Sequence, residues 1–222
     1  LFLVPLLIGS TVEVFTGDTV TTKRRFVEET YTRKLFEVHV EEAFPPSRQF
    51  ETTDFDAVVV TDFGHGCITP FMVSGICKGA KYLAVNAQTN SANRGFNLIT
   101  KYPKADYVVI DSLEARLAAQ DRESSIETVI QKLGFPKMIV TQGVHGAVGF
   151  DGEFHYSKAM TNKVVDTMGA GDAFFCVTAP FAAAGASMPE LLEIGNAAGA
   201  IKCGSVGQHA VTREALCRII EG

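Results

Sequence analysis

Residues 166–172 read D-T-M-G-A-G-D and are followed directly by an apolar, alanine-rich run at residues 173–184. Glycines placed just before a helix leave backbone N–H groups facing an anion, and the helix dipole adds positive potential at the same end. The segment therefore predicts a cradle for a phosphate group. Asp172 would lie beside this cradle, where its carboxylate can accept the proton of a hydroxyl that attacks the same phosphorus. The alternative is an ordinary glycine-rich turn in which the helix dipole favours Asp172.

Upstream of this segment, short apolar runs alternate with segments whose apolar residues fall on one helical face. Strands are predicted at residues 57–61, 82–85, 107–110 and 137–141, and helices at residues 70–78, 113–119 and 126–133. This rhythm predicts a parallel sheet with crossover helices in a layered α/β domain. A hairpin of residues 147–150 and 153–156, joined by an Asp-Gly turn, comes next. Three helices at residues 173–184, 191–203 and 213–220 complete the pattern.

The first fifty residues have a different pattern. Residues 35–41 alternate apolar and polar side chains, which predicts a half-buried antiparallel strand paired with residues 19–27. Lys23 and Arg25 would share one face of this hairpin because they are two residues apart in a strand. Two prolines at 45–46 mark a join, so we divide the chain into residues 1–50, a partial N-terminal region with the hairpin, and residues 51–222, the α/β domain.

Composition limits the class of protein. The chain has 222 residues, of which 46% are hydrophobic and 20% charged, as expected for one globular domain. A net charge of −5 with scattered Lys and Arg argues against a nucleic-acid partner. The five cysteines are far apart and odd in number, which predicts neither disulfides nor a zinc site and favours a reducing, cytoplasmic location. Residues 1–8 are apolar but too short to cross a bilayer, so we expect a buried strand there and no membrane partner.

The motif D-T-x-G-A-G-D at residues 166–172 resembles the signature of the ribokinase-like (PfkB) sugar kinases. The resemblance extends over nearly the whole chain from Thr19 onward. It implies a ribokinase-like three-layer α/β/α domain with a small antiparallel β-hairpin lid, and ATP as co-substrate. It also implies that Asp172 is the catalytic base and that Gly169, Ala170 and Gly171 hold the transferring phosphate.

Further positions match the same family at the nucleotide. Residues 141–146, T-Q-G-V-H-G, resemble the family's T-x-G-x-x-G segment, which implies that Thr141, Gly143 and Gly146 lie near the nucleotide. A hairpin turn would use the same residues, so that alternative stays open. Asn196 resembles a helical residue that borders the adenine pocket, and a solvent-exposed helical asparagine is the alternative.

Residues 111–114, D-S-L-E, align with the family's N-x-x-E motif. The resemblance implies that Glu114 acts through water on the Mg²⁺ that bridges the nucleotide phosphates, with Asp111 in the place of the usual Asn. Oxygen ligands of this kind suit magnesium. A helix N-cap is the alternative for Asp111. In some members of the family the places of Asp166, Thr167 and residues 203–207 surround a monovalent cation, and such an ion stays open here.

Within the family, the chain most resembles kinases that phosphorylate the anomeric hydroxyl of heptose 7-phosphate. Residues 22–25, T-K-R-R, resemble their T-x-K-x-R strand, which implies that Lys23 and Arg25 bind the phosphate of the sugar. A solvated strand is the alternative for these two residues. Residues 62–66, D-F-G-H-G, resemble their D-Y-x-K-G loop, although His65 replaces the Lys. Residues 86–88, N-A-Q, replace their D-P-K.

The N-terminal strand and the glycine-rich segment that supply much of the sugar pocket in this family have no counterpart before Thr19. We therefore expect a chain that lacks the N-terminal strands and exposes a sheet edge. Three functions follow as hypotheses. The first is an ATP-dependent sugar kinase, a homodimer joined through the hairpin. The others are a non-catalytic nucleotide- or sugar-binding module or truncated inactive kinase, and a nucleotidyltransferase, whose phosphate-binding motifs are missing from the sequence.

Overall fold

The fold is known from a computed structural model of the chain. It describes residues 13, 22–28, 33–40, 52–66, 68–89, 93–160, 164–204 and 210–221. Within residues 22–28 and 33–40, the side chains of Phe26 and Val38 are described. The strand predicted at residues 1–8 and most of the loop at residues 203–207 lie outside the described residues.

The N-terminal hairpin predicted from the sequence is confirmed. Strands β1 (Thr22–Glu28) and β2 (Arg33–Val40) pair antiparallel, with Lys23 opposite His39 and Arg25 opposite Glu37. Both strands begin and end within a few residues of the predicted positions.

A six-stranded sheet forms the centre of the α/β domain. Its strands are β3 (Val58–Asp62), β4 (Leu83–Ala87), β5 (Tyr107–Asp111), β6 (Met138–Thr141), β7 (Ala147–Phe150) and β8 (Phe154–Ser157), in that spatial order. Strands β3 to β6 pair in parallel, whereas β7 and β8 are antiparallel. The predicted parallel sheet and the Asp-Gly hairpin are both confirmed.

The helices connect and cover these strands. They are α1 (Pro70–Gly79), α2 (Ser112–Ala119), α3 (Ile126–Leu133), α4 (Ala170–Ala183), α5 (Met188–Cys203) and α6 (Arg213–Ile220), with short 3₁₀ helices at Ile99–Lys101 and Gly143–His145. Helix α4 begins at Ala170, three residues before the predicted start. The glycines of the motif therefore form the helix end itself and not a separate turn in front of it.

Strand residues face two cores, one on each side of the sheet. Val108 and Ile110 pack with α1, α2 and α3, whereas Tyr107 and Val109 pack with α4 and α5, and all four side chains are buried. Parallel strands covered on both faces are apolar along their whole length, which is why β4 to β6 appear as continuous apolar runs. The result is the three-layer α/β/α arrangement expected from the sequence. Among the described helices, none has the length and apolar character needed to cross a membrane.

Candidate active site

Polar side chains gather where the parallel strands β3, β4 and β5 end. Asp62 is the last residue of β3, Gln88 follows β4, and Asp111 is the last residue of β5. Carboxyl ends of parallel strands meet at one edge of a sheet, and ligands of open α/β sheets bind outside that edge. Helix α4 brings Asp172 to the same place, because the Gln88 side-chain amide donates a hydrogen bond to Asp172 Oδ1.

The N-terminus of α4 contains two glycines, Gly169 and Gly171. Gly169, its N-cap, has a φ of 78°, a left-handed conformation that favours glycine, and it has no side chain to cover the helix end. Apart from its own helix backbone and chain neighbours, no atom of the described residues lies within 4 Å of where a β-carbon on Gly171 would be, so packing among them does not require this glycine. First-turn N–H groups lack partners one turn earlier in the helix. The Ala170 N–H, however, donates to the Thr167 carbonyl at 3.3 Å.

The N-terminal half of the motif is tied to the end of α5. Val165 and Asp166 both donate their N–H groups to the Cys203 carbonyl, at 2.8 and 3.3 Å, and Asp166 Oδ1 accepts the Met168 N–H at 2.9 Å. Lys202 is buried, and its Cε would lie 3.1 Å from a β-carbon on Gly169. These contacts fix the turn that positions Asp172.

Glu114 is a buried carboxylate at this edge of the sheet. Its Oε1 accepts the Thr89 N–H at 2.7 Å and its Oε2 accepts the Asp111 N–H at 2.9 Å. Burial, and then the charge of Asp111, raise the pKa of Glu114 to about 7, and the charge of Asp172 acts in the same direction. A buried carboxyl facing two other carboxylates is a position where a cation would be stabilised.

Asp111 has the structural role that the sequence left open. It is the N-cap of α2, and its Oδ1 accepts the Glu114 N–H at 2.8 Å in a capping box. Its contribution to metal binding stays a prediction.

A cluster around Asp62 was not predicted as functional from the sequence. Asp62 is 3% exposed, and its Oδ2 accepts the Tyr102 hydroxyl at 2.6 Å and pairs with the Lys101 ammonium. Asn97, which is also buried, donates its side-chain amide to the Asp62 and Gln88 carbonyls at 2.9 and 3.1 Å. The sequence signals for Asp62 and Gln88 were their positions shortly after predicted strands and the comparison of D-F-G-H-G and N-A-Q with heptose kinases, which assigned no role to either side chain. Asn97 and Lys101 carried none, since they come from the segment before β5.

The residues predicted near the nucleotide occupy the other end of this edge. Residues 142–146 join β6 to β7, so the hairpin-turn interpretation is correct, and nucleotide contact there stays a prediction. Gly146 has a φ of 91°, and a β-carbon on it would lie 1.9 Å from the Ser157 carbonyl oxygen. Asn196 is buried and donates to Ser157 Oγ at 2.8 Å, so the solvent-exposed alternative for Asn196 is wrong. Ser157 therefore links both predicted segments.

An open cleft of about 520 Å³ borders this contact. It lies between β8 and α5 and is lined by Ser157, Met160, Leu192 and Glu193 among others. The predicted Lys23 and Arg25 are placed by backbone register alone, because their side chains lie outside what the structure describes.

A family model described as pfkB family carbohydrate kinase matches residues 78–214. The chain belongs to the pfkB family of carbohydrate kinases. The matched region covers more than half of the chain and contains Glu114, Asp172 and Asn196, whereas Lys23, Arg25 and Asp62 precede it.

Curated pfkB relatives named bifunctional protein HldE are similar over most of the chain. The protein from Campylobacter jejuni subsp. doylei is 27% identical over 166 residues, which are 72% of this chain and 35% of the relative. The protein from Nitrobacter hamburgensis is 28% identical over 222 residues, which are 90% of this chain and 44% of the relative. The chain thus spans less than half the length of either relative.

Solved structures of ribokinases share the fold. The ribokinase of Thermotoga maritima aligns with a TM-score of 0.63 and 21% identity, covering 77% of this chain and 58% of that one. The Arabidopsis thaliana ribokinase, in complex with ribose and ATP, aligns with a TM-score of 0.64 and 17% identity, covering 77% of this chain and 57% of that one. These similarities confirm the predicted ribokinase-like α/β fold.

Proposed function

We propose that this pfkB protein transfers the γ-phosphoryl group of ATP to a hydroxyl of a sugar or sugar phosphate, with Asp172 as the catalytic base. One observation carries the proposal. Asp172 lies in the first turn of α4, beside a helix N-terminus that no described side chain caps, and within the field of the Glu114 carboxyl. A base, an anion-binding helix end and an acidic group for a cation are the parts that phosphoryl transfer needs.

Asp172 would accept the proton of the acceptor hydroxyl while the oxygen of that hydroxyl bonds to the γ-phosphorus. The bond between the γ-phosphorus and the bridging oxygen breaks at the same time, and that oxygen leaves with the ADP. The N-terminal end of α4, at Gly169 to Gly171, would stabilise the charge on the transferring group through backbone N–H groups and the helix dipole.

The residues around Glu114 fit a hydrated Mg²⁺ ion. Magnesium keeps several waters and is bound through one or two carboxylates together with substrate phosphates. Both Glu114 oxygens already accept N–H groups, which favours contact through water. The Thr89 hydroxyl oxygen nearby is buried without a hydrogen-bond partner among the described residues. In the described parts of the chain, no three His, Cys, Asp or Glu side chains form a group that could hold a metal ion by themselves. When bound, the ion would neutralise phosphate charge.

The nucleotide would lie towards the β6–β7 turn and Asn196. Thr141 ends β6, Gly143 and Gly146 belong to the turn that follows it, and the contact of Asn196 with Ser157 brings α5 next to this turn. In this pose the adenosine would lie away from Asp172 and the phosphates would extend towards the N-terminus of α4. The monovalent cation stays an open hypothesis, since residues 205–207 are outside the described chain.

The anomeric hydroxyl of heptose 7-phosphate is the acceptor that we propose in particular. The support is the T-K-R-R segment at residues 22–25 and the similarity to relatives named HldE. Lys23 and Arg25 would hold the phosphate already on the sugar. A homodimer joined through the β1–β2 hairpin and a cytoplasmic location remain part of the proposal, as does the division of the chain at residue 50.

The test is ATP turnover by the full-length gene product with heptose 7-phosphate, the unphosphorylated heptose and other sugar phosphates. We expect phosphorylation of at least one sugar in the wild type and a loss of about 10³-fold or more in kcat for Asp172→Asn, because a neutral amide cannot accept the proton. Glu123→Gln is the control, since Glu123 is an exposed carboxylate on the loop after α2. Unchanged turnover by Asp172→Asn would contradict the mechanism. ATP binding without turnover on any sugar would favour a binding module or an inactive kinase.

A further inference from the structure

The side chain of Gln88 makes a contact that the assigned parts of the site leave unexplained. Gln88 follows β4, is half-buried, and donates Nε2–H to Asp172 Oδ1 across 84 residues of sequence. A hydrogen bond from an amide N–H constrains the orientation of a carboxylate and adds no charge to the site. The contact therefore fixes the direction of the carboxylate that we propose as the base.

The backbone of Gln88 is held at both of its polar groups. Its N–H donates to the Asp62 carbonyl at 2.8 Å, and its carbonyl accepts the Asn97 side-chain amide at 3.1 Å. Asn97 also donates to the Asp62 carbonyl at 2.9 Å. With both groups fixed, the starting point of the Gln88 side chain is defined.

Asp62 anchors this arrangement at the end of β3. A buried carboxylate is costly unless it is paired and hydrogen-bonded. Asp62 is satisfied by the Lys101 ammonium, by the Tyr102 hydroxyl at 2.6 Å and by the Gly64 N–H at 3.0 Å. A fully satisfied buried network is rigid, so that the segment attached to it has little freedom.

Neighbouring residues on this segment hold the two acidic groups of the site. Gln88 holds Asp172 through its side chain, and Thr89 holds Glu114 through its N–H at 2.7 Å. The charge of Asp172 disfavours ionisation of Glu114, so the two carboxylates repel each other when both are ionised. The dipeptide 88–89 thus opposes a repulsion that would turn Asp172 away.

We propose that Gln88 is a positioning residue for Asp172, with the buried cluster of Asp62, Asn97, Lys101 and Tyr102 as its support. This inference rests on the proposed role of Asp172 as the base. It assigns a role to the residue of the N-A-Q segment whose side-chain amide donates a hydrogen bond to α4.

The charged and titratable groups that face Asp172 determine how Gln88 variants should behave. Glu114 faces it from α2, Cys176 lies one turn along α4, and Lys202 from α5 lies beside Gly169. None of these changes when Gln88 is substituted. A donor to the ionised carboxylate favours ionisation, so removing it raises the pKa of Asp172, a carboxylate in its place raises it further, and an ammonium lowers it.

The experiment uses the full-length protein labelled with ¹³C at aspartate carboxyl carbons, with the Asp172 signal assigned by its loss in Asp172→Asn. Carboxyl titrations and pH profiles of kcat are compared among wild type, Gln88→Ala, Gln88→Glu and Gln88→Lys, with Gln131→Ala, an exposed residue of α3, as control. We expect the Asp172 titration and the acid limb of kcat to move to higher pH in Gln88→Ala and Gln88→Glu. Both should move to lower pH in Gln88→Lys.

We further expect kcat to fall about tenfold or more in Gln88→Ala while the KM for ATP changes less than about twofold, with partial recovery in Gln88→Lys because a donor is restored. Denaturation curves establish that each variant is folded. An Asp172 titration and an acid limb that match wild type in folded Gln88→Ala would overturn the inference alone. Full activity in Asp172→Asn would overturn the proposed function as well. If no sugar is phosphorylated, the titration still decides whether Gln88 controls the carboxylate, but its catalytic role falls.

Discussion

At Gly171, the contribution of the motif to folding can be distinguished from its contribution to ligand binding. Gly171 lies in the first turn of α4, and in the described part of the chain nothing outside its own helix backbone and chain neighbours comes within 4 Å of a β-carbon there. Its backbone φ is not in the left-handed region, so alanine fits without strain. The absence of a side chain here gives the protein no packing advantage, which points to space needed by another molecule.

We therefore predict that Gly171→Ala preserves or slightly increases the free energy of unfolding, by up to about 1 kcal/mol, because alanine is the better helix former. It should nevertheless lower kcat/KM for ATP about tenfold or more, because the new methyl group occupies the space of the transferring phosphate. Denaturation and steady-state kinetics measure the two effects. Gly199→Ala, at an equally open helical position of α5, is the control and should keep its activity. Normal kinetics in Gly171→Ala would contradict the phosphate cradle.

Glu114 provides a second test at this scale, through the pH dependence of stability. Its pKa is about 7 in the folded protein, against an ordinary value of 4.5, mainly because it is buried. A raised carboxyl pKa means that folding favours the protonated form. Its stabilising contribution is complete below about pH 4.5 and is lost as the pH rises through about 7; it amounts to roughly 3 kcal/mol.

Glu114→Gln should remove this part of the pH dependence. We expect the free energy of unfolding of the wild type to fall between pH 5 and pH 8 by more than that of the variant, as measured by urea denaturation at both pH values. Glu123→Gln, at a carboxyl that is 90% exposed, should keep the slope of the wild type. Equal slopes in Glu114→Gln and the wild type would show that the raised pKa is wrong.

Between helices α4 and α5, close packing depends on the small residues of the alanine-rich runs. A β-carbon on Gly195 would lie 2.3 to 2.6 Å from ring carbons of Phe174, which is itself buried. Gly199 is one turn further along α5, and among the residues that the structure describes a β-carbon there would meet nothing within 4 Å. Gly195 and Gly199 therefore share a helical backbone conformation, but a side chain at Gly195 would clash with Phe174 and one at Gly199 would not.

We predict that Gly195→Ala lowers the free energy of unfolding by about 1 to 3 kcal/mol, since the methyl group must displace an aromatic ring in a filled core. Gly199→Ala should raise it by about 0.5 to 1 kcal/mol through helix propensity alone. Chemical denaturation of both variants measures the difference. Stabilisation by both substitutions would mean that α4 and α5 pack less closely than the structure indicates.

At the scale of elements, the sequence predicted most of the fold because each element repeats a local pattern. Helices α3 and α6 begin and end where their apolar spacing predicts, and the Asp-Gly turn marks the β7–β8 hairpin. The predicted start of α4 was three residues late. Glycine is unfavourable inside a helix, and the apolar spacing that predicts a helix does not mark a left-handed N-cap such as Gly169. Local sequence pattern thus predicts which helices and strands form, whereas tertiary contacts determine where some of them begin and end.

The same dependence on local pattern explains which residues of the candidate site could be predicted from the sequence. Asp172, Glu114 and Asn196 were predicted because their motifs are contiguous in the sequence. The contact of Gln88 with Asp172 joins residues 84 apart, and the cluster of Asp62 with Asn97 joins residues 35 apart. Such pairs have no spacing that a single sequence reveals. They follow from which strands are neighbours in the sheet, a property of the whole fold.

For the whole molecule, the central question is how the hairpin contributes to a site in the α/β domain. The family match begins at residue 78, so it covers Asp172 and Glu114 but neither β1 nor β2. Lys23 and Arg25 pair with His39 and Glu37 and are separated by Arg24, which pairs with Val38. Strand periodicity predicts that Lys23 and Arg25 share a face from which Arg24 is turned away.

We predict that the double substitution Lys23→Gln and Arg25→Gln raises the KM for heptose 7-phosphate about tenfold or more, with a smaller effect on the unphosphorylated heptose. Two cations on one face can hold a phosphate that the second sugar lacks, and the loss should shrink as salt screens the interaction. Arg24→Gln is the matched control, because it removes a charge of the same kind from the other face. If Arg24→Gln raises KM as much as the double variant, net charge and not a defined phosphate site explains the effect. If neither changes KM, the basic strand is a solvated surface and the acceptor of this kinase is a sugar selected by other residues.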